Sequence, residues 1–280
     1  MAPLNTGITL YIHYYLLYIM RWSLAILSSV LSLSGALAYP APEVANSTLH
    51  SFFKRSVVCG QNVRTAVAQD CRDHHPSLNF VLGGTRAQPN VSPVTLPAGN
   101  TAIPEGAACD HIMEIQVLAK ALVSAQVCQI ITAMTKLDPP LARSTQMQEL
   151  ANIINGPTNL FFLATAVNSR KSPFVQNAIA GVSITKVPAN NFAVQSYLSN
   201  AHVHAQSLAI AQALDHEVAG LVATATAKAN TFPVIAHGRA VGAQIAEQAL
   251  KTAVANHAAH NNPTPVTTLW QRVLNARVIN

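Results

Sequence analysis

Asn159 to Val167 reads NLFFLATAV, an apolar run too short for a helix of ordinary length and bounded upstream by the turn-forming pair Gly156-Pro157. It reads as a buried strand. The chain around it follows another period. Upstream, Ile112, Ile115, Val117, Leu118, Leu122 and Val123 fall at helical spacing. From Val187 onward the composition turns Ala-rich, which predicts helices near 191–229 and 237–257, broken by Pro233 and closed by Pro263. Between Ser56 and Ala108, Gly83-Gly84 and several prolines mark turns, which predicts an irregular lid with short strands. The fold class is therefore α+β. The expected division is a disulfide-stapled part over 56–186 and a helical part over 187–280.

The N-terminus reads as an export signal. Trp22 to Ala38 (WSLAILSSVLSLSGALA) is apolar, with Arg21 before it and the small-x-small triplet Ala36-Leu37-Ala38 at its end. That run is shorter than the roughly 20 residues needed to cross a bilayer, and no membrane span is expected in the mature chain. Met20 gives a normal signal over 20–38, so residues 1–19 are read as a mis-assigned start, with an uncleaved N-terminal anchor as the alternative. Residues 39–55 then read as a pro-segment. They carry the sequon Asn46-Ser47-Thr48 and end in Lys54-Arg55, a pair that resembles a kexin-type processing site. A second sequon begins at Asn90.

The 280 residues carry 17 Lys and Arg against 11 Asp and Glu. Removing 1–55 takes away Arg21, Lys54, Arg55 and Glu43 and leaves a net charge of about +4. The remaining cations are scattered, so charge alone permits a polyanionic partner without specifying one. Cys59, Cys71, Cys109 and Cys128 are an even set in an exported chain, which predicts two disulfides and an oxidising compartment. Three pairings are possible. A straight helix over 111–127 would hold its ends about 25 Å apart, which disfavours Cys109 with Cys128. Either remaining pairing ties the N-terminal segment to the region around Asp110.

Two strings in the middle of the chain carry chemistry: Cys109-Asp110-His111-Ile112, and Asn159-Leu160-Phe161-Phe162-Leu163 followed by Asn168-Ser169-Arg170-Lys171. In order and in local spacing they resemble the HNH (ββα-metal) nuclease family, which implies a small ββα-metal-like motif with a helical insertion of about 47 residues between His111 and Asn159. The resemblance makes Asp110 and Asn168 ligands of a divalent metal (Mg, Mn or Zn), His111 the general base, and Asn159 the residue that pins the loop. Arg170 and Lys171 become substrate contacts, with Lys171 beside a phosphate or the motif backbone. A metal in such a site stabilises charge on the phosphoryl group, while a neighbouring imidazole takes the proton of the attacking water.

Glu114 adds a second arrangement. A helix starting at Asp110 would place Asp110, His111 and Glu114 on neighbouring faces, able to share one metal. The stretch Cys109 to Gln116 is also similar to a group of secreted fungal proteins with the pattern Cys-Asp-His-aliphatic-x-Glu-aliphatic-Gln. Serine-hydrolase and zincin chemistry are unsupported, since no Gly-x-Ser-x-Gly occurs and His216-Glu217 has no second His four residues on. The expected function is a secreted metal-dependent endonuclease acting on DNA or RNA, as a toxin or effector. The competing expectation is a non-catalytic secreted effector, with a structural Asp-His-Ile motif and a target-cell protein as partner. A third is a metal-binding lipase-like or peptidase-like hydrolase.

Overall fold

The computed structural model describes residues 56–67, 70–100, 102–232 and 241–279. The expected signal peptide, pro-segment, Asn46 and Lys54-Arg55 lie outside the described residues. The described chain is mixed α+β with two disulfides. In chain order its elements begin with the strands β1 Val57–Val58 and β2 Gln61–Asn62, the one-turn helices α1 Val63–Ala66 and α2 Cys71–His74, and the strands β3 Leu78–Gly84, β4 Pro89–Thr95 and β5 Ala107–His111. Three helices follow: α3 Ile115–Ser124, α4 Val127–Leu137 and α5 Arg143–Ile154. Then come β6 Leu160–Ala164, α6 Thr165–Ala180 and β7 Ile184–Thr185. The chain ends with α7 Asn190–Ser199, α8 Ala201–Asn230, α9 Val241–His260, α10 Pro265–Leu274 and β8 Val278–Ile279.

The main sheet has the order β4-β3-β6-β5. β5 runs antiparallel to β6, with Asp110 opposite Phe161 and His111 opposite Leu160, and β6 passes directly into α6. The segment 56–108 is more regular than its turn-rich composition predicts, because β3 and β4 form a seven-residue antiparallel hairpin. Their alternating inward residues, Phe80 and Val91 among them, reach the core, where they outweigh the low strand propensity of their Asn, Pro and Gly neighbours. Asn90 stands exposed on β4, an edge strand.

Two local expectations are corrected. Asp110 and His111 close a strand, and the helix begins only at Ile115. The helix expected over 111–127 is also broken, because Gln126 takes a left-handed conformation (φ 62°) and α4 leaves α3 at a bend of 78°. Among the described residues no single helix is long and apolar enough to cross a membrane. α3 and α4 instead bury Val117, Leu118, Leu122, Val127 and Ile131 in the core.

One hydrophobic core unites residues on both sides of position 186, including Phe80, Ile112, Leu163, Phe174, Tyr197, Leu214 and Trp270. The C-terminal helices therefore do not form a core separate from that of 56–186. The 30-residue α8, about 45 Å long at 1.5 Å per residue, packs on α5, α9 and α10.

Asp215, buried in the middle of α8, caps α10. Its two carboxylate oxygens accept hydrogen bonds from the Val266 and Thr267 backbone amides at 2.9 and 2.8 Å, donors that a helix start would otherwise leave unpaired. Because charged hydrogen bonds contribute about 1.5–3 kcal/mol each, Asp215→Ala is expected to lower unfolding free energy by about 2–4 kcal/mol in a denaturant titration. Asp215→Asn, which keeps one acceptor, loses less.

Candidate functional site

Strand β5, the turn after it and helix α6 converge on a cleft of about 360 Å³ whose lining includes Asp110, His111, Glu114, Asn168, Ser169 and Arg64. Asp110 and His111 arrive on β5, Asn168 arrives on the first turn of α6, and Glu114 sits immediately before α3. The three residues between His111 and α3 are held by Asn159. Its Oδ1 accepts from the Met113 amide at 2.8 Å, and its Nδ2 donates to the carbonyls of Met113 at 3.1 Å and Ile154 at 2.7 Å. An amide side chain suits this place because it both donates and accepts. Asn159 is fully buried, so its bonds are not shared with water.

Beneath the cleft lies a buried charge cluster. The Lys171 ammonium donates to both oxygens of Asp110, at 2.5 and 2.6 Å, and to the His111 carbonyl at 2.5 Å. The Tyr197 hydroxyl donates to Asp110 Oδ2 at 2.9 Å, its ring lies 5.6 Å from the ammonium, and Glu114 Oε1 is 3.5 Å from the same nitrogen. Lys171 is completely buried and Asp110 is 2% exposed. Burial pushes the Asp110 carboxyl up to about 6, with Lys171 opposing it and Glu114 adding to it. Burial, with Asp110 second, pushes the Tyr197 hydroxyl well above its ordinary value.

These contacts revise three expected roles. Lys171 takes the place beside the motif backbone and, with no exposed surface, is not a phosphate contact. Arg170 is not among the residues that line the cleft and donates from Nε to Asn191 Oδ1 at 2.6 Å. Asp110 does not fit the role of a metal ligand. Three of the roughly four lone pairs of its carboxylate are already used by Lys171 and Tyr197, and an ammonium stands where the cation would. Among the described residues no group of three or more His, Cys, Asp or Glu is placed to hold a metal. Glu114 and Asn168 reach the cleft, whereas the joint ligand set with Asp110 is not assembled.

His111 is held differently. Its Nε2 lies 3.0 Å from Asn155 Oδ1. The Asn155 amide nitrogen donates to the Val63 carbonyl at 3.0 Å and the Ala151 carbonyl at 2.7 Å, so Oδ1 is the acceptor and Nε2 must carry the proton. Nδ1, without a hydrogen-bond partner among the described residues, is then the lone-pair nitrogen. Burial, reinforced by the Arg64 charge and opposed by the Asn155 bond, depresses the imidazole pKa to about 3. At neutral pH the ring is uncharged.

The cysteines pair as Cys59–Cys128 and Cys71–Cys109, one of the two pairings the helix-length argument left open. Arg64, Asn155 and Tyr197 were not singled out from sequence. A lone Arg in a turn-rich segment and an Asn at a helix end carry no local signal. Tyr197 has one, falling in register with Ala193 and Val194 on the apolar face of α7.

Lys171→Met leaves the Asp110 carboxylate buried beside Glu114 without its cation, and is expected to cost about 3–5 kcal/mol of stability. The double change Asp110→Leu with Lys171→Met should recover most of it; equal losses in the single and double variants would rule out the charge cluster as the cause. The His111 ring gives a pH signature. Its folded pKa is below the unfolded value near 6.5, so its contribution is present above that pH and is lost as pH falls toward about 3. The slope in that window is at most about 1.4 kcal/mol per pH unit. Asp110, with its folded pKa raised to about 6, acts in the opposite sense between about 4 and 6. Comparing the wild type with His111→Gln by urea titration from pH 7.5 to 4 therefore isolates the histidine: the wild type should lose its stability advantage as the pH drops.

The chain matches no protein-family model, no curated protein and no solved structure, and the chemistry of the cleft rests on these side chains.

Proposed function

We propose that the cleft cleaves phosphodiester bonds of nucleic acid in an oxidising, extracellular-type environment, with His111 as general base. The observation that carries this reading is the geometry of His111 at the cleft: Asn155 fixes its proton on Nε2, which leaves the Nδ1 lone pair unengaged. Asn168 and Glu114 line the same cleft. A base oriented by a second side chain is the arrangement that proton abstraction requires. In the step, Nδ1 takes the proton of a water molecule or ribose hydroxyl as its oxygen bonds to phosphorus. The bond to the leaving oxygen breaks, and the imidazolium returns the proton to that oxygen or to solvent.

The antiparallel β5–β6 pair followed by α6 gives the site a strand-strand-helix layout, which supports the resemblance to HNH nucleases. Asp110 is engaged by Lys171, so the proton transfer falls to His111. The same engagement favours a second reading, a non-catalytic secreted protein in which Asp110, His111 and Asn159 are structural.

The test is cleavage of plasmid DNA and of a structured RNA by the purified, disulfide-intact chain, with Mg²⁺, Mn²⁺ or EDTA present. A His111→Ala variant of unchanged circular dichroism is run in parallel. Cleavage reduced by about 100-fold or more in the variant, the lower end of what a general base contributes, is the expected result. Equal inertness of two folded proteins would leave the structural reading in possession.

A further inference from the structure

The two cations assigned to substrate from sequence are consumed elsewhere, Lys171 by Asp110 and Arg170 by Asn191. Among the residues lining the cleft, one cation remains. Arg64 stands on the short helix α1, exposed, and its guanidinium has no hydrogen-bond or ion-pair partner among the described residues. We propose that Arg64 receives the anionic group of the ligand, a phosphate of the nucleic-acid chain, a role that rests on the nuclease reading above.

The backbone beneath Arg64 is fixed rather than free. Asn62 caps α1, its Oδ1 accepting from the Arg64 amide at 3.1 Å, and the Val63 amide donates to the Ser56 carbonyl at 2.9 Å. Val63 itself is fully buried, and Cys59, four residues earlier, is tied to α4 through Cys128. The decisive link is Asn155, which donates to the Val63 carbonyl and accepts from His111 Nε2. One amide side chain thus holds the carrier of the cation and the imidazole in fixed relation, 47 residues apart in sequence.

Electrostatics supports the same placement. Arg64 is the largest charge acting on His111 after burial, with Lys171 behind it. Asp110 and Glu114 also face this region, but Lys171 is paired with the first and lies beside the second. An anion bound at Arg64 offsets its positive charge and so raises the basicity of His111 when ligand is present. A guanidinium suits the task because its fork of donors meets a phosphate at two oxygens, which a lysine does not reproduce.

The probe is a fluorescein-labelled 12-nucleotide phosphorothioate single strand, titrated onto the full chain in a His111→Ala background, where cleavage does not interfere. Anisotropy is recorded at several salt concentrations. Arg64→Ala is expected to weaken binding about 10-fold and to reduce the slope of log K against log salt by about 0.7, the signature of one lost phosphate contact on a single strand. Arg64→Lys should restore the slope but only part of the affinity. Unchanged affinity and slope in Arg64→Ala, alongside cleavage by the wild type, would overturn the role of Arg64 and leave the nuclease reading intact. Weakened binding by Arg64→Ala with no cleavage by the wild type would sink the nuclease reading and keep the anion site. A wild-type chain that neither binds nor cleaves removes both.

Discussion

The ammonium of Lys171 is the constraint around which the middle of the molecule is arranged. It is completely buried, and its three protons are spent on the two oxygens of Asp110 and the His111 carbonyl. Removing two charges from water costs several kcal/mol per ion, and the loss is offset only where geometry is good and the remaining lone pairs are filled. Tyr197 fills one of them, and its ring lies against the ammonium. Through these contacts β5, α6 and α7 are joined at one point. Phe80 of β3 then packs edge-on against Tyr197 at 5.0 Å and against Phe161 of β6 at 5.9 Å, carrying the sheet onto the same centre.

Two asparagines make the long insertion between β5 and β6 compatible with a strand pair. Antiparallel neighbours are ordinarily joined by a few residues, yet here α3, α4 and α5 intervene. Asn159 closes the gap from the β6 side by binding the Met113 amide and carbonyl, and the Ile112 amide donates to the Asn159 carbonyl at 2.9 Å. Asn155 closes it from the end of α5, gripping His111 and the Val63 carbonyl. The strands therefore meet in register as a hairpin would, and the inserted helices pack as part of the common core. Stability and site geometry depend on the same two side chains.

A strand within 159–167, the helical C-terminal part, the α+β class and the even cysteine set were all legible, because each rests on a local pattern: an apolar run, an Ala-rich helical composition or a residue count; the strand is shorter than the run, since Thr165 to Val167 already belong to α6. The start of α3 was not. Ile112 and Ile115 continue the helical spacing of the following residues, and only the tertiary bonds from Asn159 hold 112–114 out of the helix. The β3–β4 hairpin escaped for a related reason, since its Gly, Pro and Asn residues read as turn formers until their neighbours are seen to face a core. Lys171 did leave a trace. Val167, Lys171, Phe174 and Ala178 all fall on the buried face of α6, and a lysine inside an apolar stripe signals a buried partner. Arg64 left none, because its position at the cleft is made by a disulfide, a cap and Asn155, all distant in sequence or silent in composition.

The two disulfides lie close in sequence to residues that line the cleft. Cys71–Cys109 ends one residue before Asp110, and Cys59–Cys128 lies five residues before Arg64. In a chain-entropy account, closing loops of this span, 38 and 69 residues, contributes about 4 kcal/mol each. Their positional effect matters as much. The segment carrying Ser56 and Arg64 has little regular structure of its own, two-residue strands and single helical turns, so its burial alone would hold it weakly. Cys59–Cys128 fixes it against α4, which makes one wall of the cleft from a segment with too small a core to stand alone. The opposite wall, α6 with Asn168 and Ser169, is secured by the Lys171 cluster instead. One side of the site is thus held by a covalent bond and the other by a buried ion pair, and reduction removes support from the side that carries Arg64.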